Sequence, residues 1–324
     1  MAEQARQSSG ERPGVSATAQ EDPRENRLEA DDNSRESDST FEGGYLTSLK
    51  SSIYSYRYEP NDDEEQNRMD LVHHVYSLML GGKLHRAPIG EHTQRVLDLG
   101  TGTGIWAIDF AEVPANCVFE VDDFEDQWLY KKPFDYIHAR ELEGCIANEE
   151  RFFQQAFENI ASGGFIELQA MRGCFMSDDG TSETATNAQR WAEGLLDSSA
   201  KFGKPIDCVH LWKDKLSQAG FVDIQQEVRK VSILELFVEE VVTNHTIKIP
   251  IGQWPKDPVL KEVGKYQEMQ SLQAIDSYTP RLFDKILGWP MDEIQVLMAQ
   301  AKKELRDPAI HLYLPVYFIW GKKP

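Results

Sequence analysis

Asp98, Gly100, Gly102 and Gly104 stand at alternate positions in the stretch Arg95-Val96-Leu97-Asp98-Leu99-Gly100-Thr101-Gly102-Thr103-Gly104-Ile105-Trp106. A carboxylate beside a glycine-rich turn places negative charge next to backbone that a ligand can approach closely. The dinucleotide pattern G-x-G-x-x-G is broken, because Ile105 takes the place of its last glycine. No G-x-x-x-x-G-K-[ST] occurs, which excludes a P-loop. Asp98 would repel a pyrophosphate and would suit an ammonium group, such as the methionine end of S-adenosylmethionine. A ligand-free turn is disfavoured, since alternate glycines cost backbone entropy without a packing return.

Four further residues could serve the same site. Asp122 and Asp123 lie about 20 residues past the loop, where a carboxylate on a strand end holds ribose hydroxyls. Either could instead accept from an adenine amino group. The plainer reading of the run Asp122, Asp123, Glu125, Asp126 is a solvated acidic loop. His138 and Arg140 end a predicted strand and are candidates for substrate contact, although a strand-end histidine commonly only packs. No catalytic dyad or triad is visible. Methyl transfer needs none, because the sulfonium is already activated and alignment supplies much of the rate. His73 and His74 lack companions at ligand spacing, so no metal site is expected.

The elements that must position these residues alternate. Strands are predicted at Arg95–Leu99, Cys117–Val121, Phe134–Ala139 and Phe165–Leu168. Helices are predicted at Glu64–Leu80, Ile105–Ala111, Asn148–Ile160 and Trp212–Ala219. Another strand starts at Gly220–Ile224, and the last extended segment is His311–Trp320, with Pro315 breaking its apolar run. The alternation predicts a mostly parallel sheet with helices on its faces. Residues 231–305 carry helical patterns interrupted by prolines and read as a cap over the strand ends. Its tryptophans, with Trp191, Trp212, Trp254 and Trp289 in all, would suit an aromatic acceptor.

Residues 1–40 contain no Ile, Phe, Tyr or Trp and are dense in charge, so they are expected to be a disordered acidic tail. The net charge of −20 repels phosphate backbones, which argues against nucleic-acid binding. No apolar run is long enough to span a membrane, and no leader peptide is expected. The four separated cysteines fit a reducing compartment, cytoplasmic or nuclear.

The chain resembles the fungal LaeA-like methyltransferases. The residues that carry the likeness are Asn61–Leu71, Leu80–Leu84, Val96–Ile108, Phe119–Glu125, Phe134–Arg140, Ser162–Gln169 and Tyr313–Tyr317. The resemblance implies a class I, Rossmann-like sheet of seven strands, with Asp98, Gly100, Gly102 and Gly104 lining an S-adenosylmethionine site. Two segments usual in the family are missing: a strand–helix unit after Glu112 and an aromatic, basic stretch after Tyr58. The sheet is therefore expected to lack one strand–helix unit. By family alignment Asp122 and Asp123 would lie near adenine, and by spacing near ribose. A methyltransferase domain over residues 41–324 is expected, acting on a small molecule in secondary metabolism. The alternatives are a regulatory subunit that binds a velvet-type protein and a degenerate member without turnover.

Overall fold

Three parallel strands form half of a mixed sheet, and three antiparallel ones complete it. The structure is a computed structural model, and it describes residues 63–111, 117–227 and 247–324. The expected tail, the aromatic stretch before Glu59 and the short junction after Ala111 lie outside the described residues. Strands β1 (Val96–Leu99), β2 (Phe134–Arg140) and β3 (Ile160–Met171) run parallel. β4 (Val222–Glu227) and β5 (Ile247–Pro250) both pair antiparallel with β6 (Tyr313–Lys322), which in turn pairs antiparallel with β3. The order is β1-β2-β3-β6-β4, with β5 beside the other end of β6. The described residues thus hold six strands where the resemblance implied seven.

Period-two alternation divides the side chains between two cores. Ile137, Ile166, Leu168 and Ile319 face one layer, where helices α3 (Glu149–Asn159) and α5 (Trp212–Ala219) bury Phe152, Phe153, Trp212 and Leu216. Tyr136, Val316 and Phe318 face the other layer. That layer is built by α1 (Asp63–Met79), α2 (Ile105–Ala111), α4 (Thr186–Phe202), α6 (Pro258–Arg281) and α7 (Met291–Leu305). Each large apolar side chain fully buried in these layers contributes about 1.5–3 kcal/mol. Local chemistry starts the helices. Asn148 Oδ1 accepts from Arg151 N at 2.9 Å, and Asp257 Oδ1 accepts from Val259 N and Leu260 N at 2.8 and 3.1 Å. Pro258 takes the first helical position, where its missing N–H costs nothing.

Three expectations change. Cys117–Val121 is not a strand. Its Val118 and Val121 are each 82% exposed, and it finds no ladder partner among the described residues. A pleated pattern becomes a strand only where a neighbour supplies hydrogen bonds. The sheet is not mostly parallel, since β6 pairs antiparallel with β3, β4 and β5. The described part of the cap is not wholly helical, since β5 joins the sheet. α4 was not anticipated, although Ala188, Trp191, Ala192 and Leu195 have helical spacing and are buried.

Candidate functional site

The carboxyl ends of β1, β2 and β3 open on one cleft, as ligand sites in open α/β sheets do. Asp98 and Gly100, Arg140 and Glu141, and Met171 and Gly173 line it in that order. Arg68, Met69 and His73 of α1 form one wall, Trp191 and Leu195 of α4 a second, and Gln267, Gln270 and Tyr278 of α6 a third.

The glycine loop makes the floor. Gly100, Gly102 and Gly104 have φ of 68, 59 and 83°, a region that side chains disfavour. At Gly104 the constraint is also steric, because an added Cβ would lie 2.8 Å from the Phe119 ring. Thr103 Oγ1 donates to Asp70 Oδ1 at 2.7 Å and fastens the loop to α1.

Parallel register sets Asp98, His138 and Glu167 in one row across the sheet. His138 Nδ1 lies 2.7 Å from Asp98 Oδ1. A carboxylate only accepts, so Nδ1 carries the proton. Burial lowers the His138 pKa, against the pull of Asp98, and keeps the ring neutral. Its Nε2 is buried without a hydrogen-bond partner. The Asp98 side chain is 10% exposed, and its Oδ2 takes no hydrogen bond among the described residues.

Arg140 closes a second chain of contacts. Its Nε donates to Gln169 Oε1 at 2.9 Å, and its guanidinium stands 4.5 Å from the Tyr76 ring centroid. It also lies 3.1 Å from His73 Nδ1. Arginine only donates, so His73 accepts there and gives its Nε2 proton to Asp109, 3.0 Å away. Burial lowers the His73 pKa as well. Glu141 has φ of 53° and accepts from the Tyr76 hydroxyl and from Met171 N, the latter at 3.0 Å. Burial raises its carboxyl pKa. Nothing in sequence spacing flagged Glu141. The face of α1 was legible, since Met69, Val72 and His73 follow helical spacing.

The structure brings Asp98, Gly100, Gly102, His138 and Arg140 together. Gly104 stands behind the loop, under Phe119. Asp122 and Asp123 lie outside the lining. Asp122 Oδ1 accepts from Asp123 N and Asp123 Oδ1 accepts from Glu125 N, both at 2.9 Å, so they close their own turn. Of the four tryptophans expected near an acceptor, Trp191 lines the cleft. Trp212 packs on the other face of the sheet. Trp254 donates to Leu312 O at 3.2 Å, and Trp289 packs on Phe283. The described residues hold no cluster of metal ligands and no helix long and apolar enough to cross a membrane.

Residues 71–225 match the family model described as "Methyltransferase domain". Methyltransferase pytC of Aspergillus terreus is 31% identical, over 95% of this chain and 98% of that protein. The protein named "Probable methyltransferase tdiE" of Emericella nidulans is 29% identical, over 81% of this chain and 83% of that one. The secondary metabolism regulator LAE1 of Cochliobolus heterostrophus is 26% identical, over 87% and 94%.

Proposed function

Because this chain belongs to the fungal methyltransferase family that includes pytC, we propose that it methylates a small aromatic acceptor with S-adenosylmethionine. Its sheet is the Rossmann-like sheet of that family. One observation carries the cofactor reading. Asp98 offers the cleft a carboxylate oxygen that no described residue uses, beside a floor with no side chains at Gly100 and Gly102. An α-ammonium fits that oxygen, and the exposed backbone of the loop admits the rest of an amino-acid chain.

When bound, S-adenosylmethionine supplies an electrophilic methyl group on a sulfonium. Asp98 holds the ammonium, and the Gly100–Gly102 backbone lies against the cofactor chain. Asp122 and Asp123 stay outside this set. The wall of Phe175, Trp191 and Leu195 excludes water and orients a flat acceptor; the Phe175 and Trp191 rings are 6.0 Å apart and 23° from parallel. No general base is assigned. Residues 41–324 act as the methyltransferase domain, in the cytoplasm or nucleus. Calorimetric titration with S-adenosylhomocysteine tests the cofactor reading, which predicts saturable heat; a flat titration of folded protein overturns it.

The likeness to LAE1, named a regulator, favours a second reading, in which the same fold works as a regulatory subunit with a velvet-type partner. Co-purification of such a protein from the producing fungus would support it, and acceptor turnover by the isolated chain would oppose it.

A further inference from the structure

We propose that His138 is a positioning residue that holds the Asp98 carboxylate for the cofactor's ammonium group. The proposal rests on the cofactor reading above and adds a role for a residue that acts through Asp98.

Three observations carry it. His138 has no exposed surface, and its Nε2 is shut away from solvent. Its Nδ1 points to Asp98 Oδ1 at 2.7 Å, while Oδ2 has no partner among the described residues. Its ring is stacked on the Trp106 indole, with centroids 3.7 Å apart and planes 4° from parallel. The stack fixes the ring, the ring fixes one carboxylate oxygen, and the other oxygen is thereby aimed.

The protonation state matters as much as the geometry. A histidinium here would form an ion pair with Asp98 and cancel the charge an ammonium needs. A neutral imidazole donates one hydrogen bond and leaves Asp98 its full negative charge. β2 delivers His138 opposite Asp98 by register, so the two side chains share a face without any contact in sequence.

The test uses the full chain, two probes and two variants. S-adenosylhomocysteine carries the α-amino acid. 5′-Methylthioadenosine keeps the nucleoside and thioether and lacks the amino acid. His138→Asn can place an amide N–H where Nδ1–H now lies, whereas His138→Gln reaches toward the Nε2 position. His138→Asn is expected to bind S-adenosylhomocysteine within about threefold of the unaltered protein. His138→Gln is expected to lose about tenfold, or about 1.4 kcal/mol. Both should bind 5′-methylthioadenosine as the unaltered protein does.

Equal binding of S-adenosylhomocysteine by all three proteins overturns the proposal. So does a parallel loss of both probes in His138→Gln, which would make the ring a packing element. If His138→Gln does not fold, His138→Leu replaces it with the same expectations. An unaltered protein that gives heat with neither probe overturns the cofactor reading itself and is distinct from either result.

Discussion

The imidazole of His138 and the indole of Trp106 lie face to face, 3.7 Å between centroids and 4° from parallel. Phe110 stacks on the same indole at 4.8 Å, and Trp106 Nε1 donates to Leu84 O at 3.0 Å. One aromatic residue thus ties α2, the segment after α1 and the centre of the sheet to the cleft floor. Trp106→Leu removes the stack and much buried area. It is expected to cost about 3 kcal/mol of stability, in the range of large core truncations. Trp106→Phe keeps a ring and loses the N–H, for about 1 kcal/mol. Urea unfolding of the two variants checks both the size and the order.

Asp98→Ala should separate ligand binding from folding. A ligand at about 100 times its dissociation constant adds about 2.7 kcal/mol to stability. The unaltered protein should show that gain with S-adenosylhomocysteine in thermal unfolding, and Asp98→Ala should not. Without ligand the variant is also less stable, because the buried Nδ1–H of His138 loses its acceptor, for about 1–3 kcal/mol. A ligand-induced gain that survives in Asp98→Ala would remove Asp98 from the cofactor site.

Two buried histidines give the stability a signed pH dependence. His73 and His138 both titrate below the ordinary 6.5 in the folded chain, chiefly because they are buried. As pH falls below 6.5 the unfolded chain takes up protons first, so it binds more protons than the folded one. Stability is therefore fully present above that point and is lost on acidification, by at most about 1.4 kcal/mol per pH unit for each histidine. Glu141 acts with the opposite sign, since its pKa is raised in the folded chain. Its contribution is present at low pH and fades as pH rises from about 4.5 to its folded value. Urea titrations at pH 7 and pH 5.5 should show a smaller loss for His73→Gln than for the unaltered protein. An equal loss would mean that His73 is not buried neutral.

Much of this site was legible as pattern, and the rest depended on partners far along the chain. The β1–loop–α2 unit declares itself because strand, glycines and helix are contiguous. His138 and Arg140 were visible as a strand end, but their roles were not, since Asp98 and His73 reach them only through sheet register and helix packing. The Cys117–Val121 run has a pleated pattern and no strand partner among the described residues, so Val118, Phe119 and Val121 stay exposed. Asp122 and Asp123 fall at the ribose spacing, but the strand that would have aimed them at the cleft did not form. Glu141 carries no local signal at all, because its position depends on a positive φ and on Tyr76 and Met171.

Gly104 offers a test in which backbone strain and crowding can be separated. Its φ is +83°, and an added Cβ would stand 2.8 Å from the Phe119 ring. Gly180 has nearly the same backbone, φ +80°, with nothing within 4 Å of the Cβ position. Gly180→Ala should therefore cost only the left-handed conformation, about 1–2 kcal/mol. Gly104→Ala should cost that plus the displacement of the Phe119 ring, a 57% exposed side chain that can swing aside, for a further loss of no more than about 0.5 kcal/mol. Adding Phe119→Ala to Gly104→Ala removes the clash and leaves the strain. The double variant should then show a favourable interaction in a double-mutant cycle, rather than the sum of two losses. Strict additivity in urea unfolding would mean that Phe119 does not lie against the loop. In that case the segment from Cys117 would have no part in closing the back of the site.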